Sequence, residues 1–481
     1  MTYIRRVKTK SGAVAIQVVR KQQGKIVQLE HVGSAHNQQE EKQLVELARD
    51  RLHPGQLGLL PNYQPAVKVA LKASFSVLLY DVLWEGYRRL GLDQLADEVF
   101  AQLCIARMVE PTSKLDSLRV LADLGITRLD RNQLFRCLSQ VISQDYRKTI
   151  SQICFARAGQ QSLSLVLYDV TSLYFEVQKE DEFRKPGLSK ERRLEPQIII
   201  GLLVNQNGFP LGLHSFEGNT AETKTILPVI QAFCQEHQVS RLTVVADAGM
   251  LSQGNLAALS AAGHKFIVGS RLHKIPYGLA EYQKANNLAD SQILESNILP
   301  YRIIYQYKAK RAELDLKNIR DQIAKAQRVV DGKITVSRAK FLLVKAQTKQ
   351  LNQKLITKAY ALAGIKGYVT NLEIPGQPVI DYHHQLFRVE ASFRMAKSDL
   401  KARPIFHRRR EAIEAHLTLV LAALAVGKCL EEKAQMSLKQ LVKLLRPIRS
   451  GVVTVNGQEY PAEADVSPVI HTLLRKLNSG H

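Results

Sequence analysis

SLSLVLYDV (162–170) and RLTVVADAGML (241–251) are short apolar runs that each lead into an aspartate, Asp169 and Asp247. Runs of this length, rich in β-branched and aliphatic side chains and bounded by turn formers, read as buried strands. Both acids then stand at the C-terminal ends of strands. Between them, Pro196–Gln206 and Phe209–Phe216 read as two further strands joined at Asn207-Gly208. A helix follows near 220–237, LSQGNLAALSAAG (251–263) is helical, and KFIVGS (265–270) is another strand. RKPGLSKERR (184–193) reads as a polar, basic loop. Strands alternating with helices after an opening run of adjacent strands predict an α/β fold with a mixed sheet flanked by helices. Open α/β sheets carry their sites at the C-terminal strand ends.

Downstream, DYHHQLFRVEASFRMAKSDLKARP (381–404) has the apolar spacing of one helix, with Leu386, Phe387, Val389, Phe393 and Met395 set among charges. Glu390, Arg394 and Lys397 recur at i, i+4 and i+7 and so share a face. By itself this spacing equally describes a solvated ion-pair face. Residues 301–366 interrupt the α/β pattern. Leu316, Ile319, Ile323, Ala326 and Val330 follow a 3-4 spacing, as do Val344, Thr348, Leu351 and Leu355, with Asp331-Gly332 between them. The expectation is a helical hairpin inserted between the second aspartate and Glu390. Its 16 Lys and Arg against 4 Asp and Glu supply about half of the chain's excess charge. GYVTN (367–371) then resumes the sheet. RPIFHRRR (403–410) is a dense basic turn, 411–430 an apolar helix against the sheet, and 436–481 a helix and loose tail.

Residues 1–35 read as a basic β unit turning at Gln22-Gln23-Gly24. Helices are expected near 38–52, 66–90, 93–108, 114–123, 130–142 and 145–157. Lys114–Leu138 has the form of a helix-turn-helix, with Arg131, Asn132 and Arg136 on its second helix. The division expected is 1–160 as an N-terminal β-hairpin and helical bundle, 161–430 as the α/β domain, and 431–481 as a C-terminal helix and tail.

A chain of 481 residues exceeds one ordinary core. Its 45% hydrophobic and 23% charged content is that of a folded protein. The balance of 67 Lys and Arg over 44 Asp and Glu, a net charge of +23, points to a polyanionic partner, most simply nucleic acid. Cys104, Cys137, Cys154, Cys234 and Cys429 are scattered and never in C-x-x-C spacing, so neither a disulfide framework nor a zinc site follows. The opening MTYIRRVKTK lacks the apolar core of a secretory signal, and the longest apolar run, Leu417 to Val426, is short for a membrane span. A cytoplasmic, nucleoid-associated protein is expected.

Asp169, Asp247 and Glu390 come from three separate elements. If these converge, their mutual repulsion calls for a cation, and oxygen donors suit Mg²⁺, with Mn²⁺ as substitute. Two such ions can clamp an in-line displacement at phosphorus. Arg394 and Lys397 then lie near enough to neutralise phosphates. No G-x-x-x-x-G-K-[ST], H-E-x-x-H or G-x-S-x-G motif competes. His383-His384 point opposite ways from one helix and read as structural or surface residues.

YDVTSLYFE (168–176), EGNTAE (217–222), ADAGMLS (246–252) and VEASFRMAKSDLKARPIFHRRREAIEAHL (389–417), in that order, resemble a bacterial insertion-sequence DDE transposase, from about Leu163 to Val426. The resemblance implies an RNase H-like core with Asp169, Asp247 and Glu390 as catalytic, metal-holding triad. It implies Mg²⁺ dependence, double-stranded DNA as partner at transposon ends and target, and a homodimer in the synaptic complex. Arg388, Arg394, Lys397, Arg403 and His407 are the DNA-binding candidates in its last block. A subgroup of the family is described by Tyr-x₂-Arg-x₃-Glu-x₆-Lys. Glu390 and Lys397 keep that spacing, but Leu386 stands at the Arg position and His383 at the Tyr position, with Tyr382 and Arg388 at other offsets. The chain therefore resembles a divergent branch. Its one tryptophan, Trp84, lies in the N-terminal helical region, so no core tryptophan is available to clamp a base.

The function implied is binding of the element's own terminal inverted repeats, followed by metal-dependent cleavage and strand transfer. Two other readings use the same residues: an RNase H-like nuclease that hydrolyses without joining, and a captured DNA-binding protein without catalysis. The large N-terminal region argues against the first and the intact acids against the second.

Overall fold

The computed structural model describes residues 2–9, 12–52, 69–159, 165–176, 180–187, 195–250, 252–270, 288–298, 301–335, 339–345, 348–403 and 405–478. Strands β1 (Thr2–Lys8), β2 (Val14–Gln22) and β3 (Lys25–Ala35) form an antiparallel sheet. Its second turn sits on Gln23 and Gly24, whose positive φ values of 47° and 79° suit the two-residue turn expected there. Helix α1 (Gln38–Leu52) starts where the Asn37 side chain accepts from the amides of Gln39 and Glu40. It lays Val45 and Ala48 on Ile16. Strand β4 (Val69–Phe75) falls where a helix over 66–90 was expected. Val69, Leu71, Ala73 and Phe75 alternate with polar or small residues, a period of two that overrides the helical reading; residues 66–68 lie outside the described residues.

Five helices follow: α2 (Val77–Arg89), α3 (Glu98–Val109), α4 (Ser117–Asp123), α5 (Arg131–Ser143) and α6 (Tyr146–Ala158). Asp97, Asp130 and Asp145 cap α3, α5 and α6 with their side chains, which fixes three of the starts. Arg131, Asn132 and Arg136 are exposed on α5.

Strands β5 (Leu165–Tyr174), β6 (Gln197–Asn205) and β7 (Pro210–Glu217) form an antiparallel run. Then come α7 (Ile226–His237), β8 (Thr243–Ala246), α8 (Gln253–Ala261) and β9 (Lys265–Ser270). Strand β8 is parallel to β5 and β9 parallel to β8. The order β7-β6-β5-β8-β9, three antiparallel strands and two parallel ones, is the RNase H-like sheet. Every residue of β6 is buried, as expected of a strand covered on both faces.

The sheet extends further than its five core strands. β10 (Ile293–Ile298) and β11 (Tyr301–Tyr307) join it through β14 (Ile365–Thr370), making eight strands in the order β10-β11-β14-β9-β8-β5-β6-β7. Between β11 and β14 lie α9 (Ala309–Val330), β12 (Leu342–Lys345), β13 (Thr348–Leu351) and α10 (Gln353–Ala361). The expected helical hairpin over 301–366 is thus corrected to one long helix, a β-hairpin and a short helix, with 301–307 in the main sheet. Ile319 and Ala326 of α9 do form the apolar stripe that was read, but they pack on Phe341 and Ile356. Leu342 and Leu351 are cross-strand partners, not steps of a heptad.

Next come α11 (Gly376–His384), α12 (Phe387–Arg394) and a π turn over Met395–Asp399. Helix α13 (Arg410–Ala434) is buried along most of its length and packs against α2, α3, α5, α6 and β7. By length and composition α13 alone among the described residues could cross a membrane, yet 89% of its apolar window is buried within the fold. It joins the helices of 77–158 and the sheet in one core. The chain accordingly divides into Met1–Lys72 with Val452–Pro461, and Ala73–Gly451 with Ala462–His481.

The C-terminal region is not a loose tail. After α14 (Leu438–Leu445), strands β15 (Ser450–Val455) and β16 (Gln458–Ala462) turn at Asn456 and Gly457, with φ of 51° and 86°. Helix α15 (Pro468–Asn478) buries Ile470, Leu473 and Leu477.

Burial holds the imidazole of His237 on α7 neutral. Its ring stacks on Phe155 at 4.3 Å and its Nε2 lies 3.1 Å from Ser151 Oγ. Its pKa falls to about 4, although the Glu236 carboxylate stands 3.9 Å away. The unfolded chain takes up this proton near pH 6.5 and the folded chain only near 4. The contribution is therefore complete above pH 6.5 and is lost as the pH falls towards 4, on the order of 3 kcal/mol. In urea titrations from pH 7 to pH 4, His237→Gln should flatten this decline. An equally steep decline would assign the acid sensitivity to other groups.

Candidate active site

Strand register brings the first two acids together. β5 pairs with β8 as Leu165↔Thr243, Val166↔Val244 and Leu167↔Val245. Two residues on from the last pair stand Asp169, still within β5, and Asp247, just past the end of β8. Asp169 does not end its strand, as the sequence suggested. β5 runs on to Tyr174 because β6 keeps pairing with it, Asp169↔Leu202 through Tyr174↔Gln197. Only β8 stops, at Ala246, and Asp247 opens the turn beyond it, accepting the Ala248 amide at 2.7 Å.

The third acid arrives on α12. One helix was expected over 381–404; the structure breaks it at Gln385-Leu386 and ends it in the π turn, closed by Leu400 N–H donating to Met395 O at 2.9 Å. Two polar contacts dock α12 on the β6–β7 turn. Ser392 Oγ donates to Gly208 O at 2.7 Å, and Arg388 donates to Asn207 Oδ1 at 2.8 Å. Glu390 then faces the same cleft as Asp169 and Asp247, a cavity of about 280 Å³. Asp247 and Glu390 are exposed and Asp169 half-buried.

Sequence reasoning missed the other walls of this cleft. Lys366 on β14 lies over the Tyr368 ring at 5.3 Å and faces Asp247 and Glu390. Burial pulls its pKa down, Arg311 adds to this, and the two carboxylates oppose it. His383, 4% exposed, packs edge-on against Tyr368 at 4.9 Å, and neither of its ring nitrogens has a partner. Burial, aided by Lys366, takes its pKa to about 3, so the ring is neutral. His384 is exposed, with Nε2 3.3 Å from the Tyr368 hydroxyl. The two histidines point apart as expected, His383 into the core and His384 to the surface, and both line the cleft. A lysine in a strand gives no local signal of this kind. Only the strand order shows what it faces.

The five DNA-binding candidates fall outside the cleft lining. Arg394 is exposed, and the π turn after it moves Lys397 off the face expected of a straight helix. Lys397 donates instead to Thr171 on β5, two residues beyond Asp169. Arg403 lies over the Tyr174 ring at 5.4 Å, and His407 contacts Lys114. Lys397 and Arg403 thus follow the outgoing half of β5.

Three carboxylates with no thiolate form the donor set of a hard divalent cation, and the two ring nitrogens of buried His383 beside them have no partner. Among the described residues, no three His, Cys, Asp or Glu side chains stand close enough together to hold one ion. The fit is one of donor chemistry, with Lys366 supplying positive charge beside the acids.

Residues 160–426, more than half of the chain, match the family described as Transposase DDE domain. The chain belongs to this transposase family. The family's chemistry is DNA cleavage and transfer. Similar solved structures include the piggyBac transposase, seen by cryo-EM in a synaptic complex with hairpin DNA. That chain is 10% identical, with a TM-score of 0.42 over 77% of this chain and 79% of its own. No curated protein matches the sequence.

Gly201 on β6 gives a local test of the site's support. A Cβ there would overlap the hydroxyl of the fully buried Tyr168 and stand 3.0 Å from its Cε2 and Cζ. Gly201→Ala should cost about 1–3 kcal/mol, read from the urea midpoint, and Tyr168→Phe in the same chain should recover part of it. Undiminished stability would mean that Tyr168, next to Asp169, has room to move.

Proposed function

We propose that this transposase binds the terminal inverted repeats of its own insertion sequence and cuts and joins DNA at the cleft of Asp169, Asp247 and Glu390. The observation that carries the reading is the convergence of these three acids, from β5, the end of β8 and α12, inside the matched family domain. The three carboxylates are the donors that would take Mg²⁺, or Mn²⁺ in its place, by drawing closer together than they stand in the cleft. Such ions, when bound, activate the attacking water or 3′-hydroxyl and stabilise the leaving oxygen.

The chain's own groups have distinct tasks in this scheme. Asp169 is fixed by its pairing with Leu202 of β6, two residues beyond the last pair of β5 with β8, and Asp247 and Glu390 complete the donor set from the adjoining turn and helix. Lys366 offsets carboxylate repulsion while the ions are absent. Neutral His383 keeps a further positive charge away from them. Lys397 and Arg403, along β5, together with Arg388 and Arg394, are suited to neutralise phosphates of the bound strand, with neutral His407 as a hydrogen-bonding neighbour. The net charge of +23 favours the same partner. A homodimer on paired ends, a bacterial source and action in the cytoplasm at the nucleoid complete the reading.

Asp247→Asn separates chemistry from binding, because it removes a charge but little volume. Nicking of supercoiled plasmid in Mg²⁺ should fall below detection while affinity for a DNA duplex stays within about twofold, since phosphate contacts dominate affinity. Nicking at the wild-type rate would remove Asp247 from the site.

A further inference from the structure

A second cavity, of about 640 Å³, opens between the end of α3, the loop after it and the 401–407 segment. Its floor carries Arg107, Lys114, His407 and His416, and no carboxylate lines it. Arg107 and Lys114 are 5% and 8% exposed. Among the described residues the only other Lys or Arg so deeply buried is Arg184, and it has a carboxylate partner, Asp181, at 2.7 Å. Arg107 has none. It donates only to the carbonyls of Leu400 and Lys401, at 3.3 and 3.5 Å. Lys114 donates to His407 Nε2 at 2.6 Å and His416 Nδ1 at 2.7 Å. His416 Nε2–H donates in turn to Ala402 O at 3.1 Å, which leaves Nδ1 as an acceptor. Two neutral imidazoles therefore orient the Lys114 amine; burial and the neighbouring Arg107 pull its pKa down, and an anion in the cavity would favour its charged form.

An arginine stays charged in a protein, and a buried charge without a counter-ion is strongly unfavourable. The cavity thus has one buried cation without a counter-ion, a lysine amine held in a fixed direction and room for an anion. A phosphate group, with several acceptor oxygens and negative charge, matches all three. Phe406, 67% exposed, stands at the mouth, where a sugar or base would pass.

The position ties the cavity to the cleft. Ile405 bridges to Phe175, and Tyr174 at the end of β5 accepts the Ile405 amide at 3.3 Å. From Asp169 to Tyr174 is five residues of strand, about 17 Å at 3.3–3.4 Å each. Duplex DNA covers that distance in about five base pairs. We propose that the cavity of Arg107, Lys114, His407 and His416 binds one phosphate of the DNA, about five base pairs from the bond cut at the carboxylate cleft. The proposal rests on the DNA-transposing role given above.

The test is the affinity of the full chain for a 30-base-pair duplex, by fluorescence anisotropy over a range of KCl. Lys114→Met and Arg107→Met should each weaken binding about tenfold and reduce the slope of log affinity against log salt by about one. The double variant should lose no more than either, because both serve one phosphate. A folded Lys114→Met with the wild-type slope would overturn the proposal. If that variant does not fold, the wild-type chain supplies the readout: the imidazole Cε1–H resonances of His407 and His416 should shift when duplex is added, and stationary resonances would overturn the site. Inorganic phosphate is the second probe. If it moves those resonances and duplex does not, the cavity takes a small phosphoester and the assignment to DNA fails. A wild-type chain with no affinity for duplex would instead sink the proposed role itself.

Discussion

Three residues of parallel pairing between β5 and β8 set the register on which the site depends. Leu165, Val166 and Leu167 face Thr243, Val244 and Val245, and everything polar at the site is measured from there. A slip of one residue would turn Asp169 to the other face of the sheet. What prevents the slip is burial, since both strands are covered along these residues and β6, fully buried, pairs with β5 on its other edge. Apolar packing of the two strands holds Asp169 and Asp247 on one cleft, which Lys366 also lines.

The same logic extends outward. Helix α13 is buried on nearly all sides, which requires partners all round it, and the helices between 77 and 158 supply them. Those helices therefore belong to the body that carries the cleft. One consequence is that Arg107 and Lys114, on and just after α3, meet His416 of α13 beneath the basic 403–410 segment. Cations that are far apart in sequence end up along the line that β5 takes away from Asp169.

Much of this was legible in the residues, for physical reasons that can be named. The strands that carry Asp169 and lead into Asp247 announced themselves as short apolar runs, though the first runs on past its acid, and the turns at Gln23-Gly24 and Asn207-Gly208 by their residue types. Glu390 was picked out by its helical spacing, and the structure does turn it into the cleft. The 301–366 segment was misread because a 3-4 spacing over few positions fits a helix and a β-hairpin about equally, and α9 needed something apolar to cover its stripe. The Asn456-Gly457 turn, between VVTV and EYPA, carried a usable signal that the polar surroundings hid. Lys366 and the Arg107–Lys114 cavity were out of reach, because each is defined by strand order or by helices packing from distant parts of the chain.

The account's central claim is that three carboxylates gathered by this register perform DNA cleavage and joining. Its most direct test uses purified chain and a plasmid carrying the gene with its flanks, in Mg²⁺ and in EDTA, comparing wild type with Glu390→Gln. Nicking, excision and joined products are scored together. The account predicts joined products with the wild type in Mg²⁺ alone, and none with Glu390→Gln. Cleavage without joining, or joining that survives either EDTA or the loss of Glu390, would contradict it.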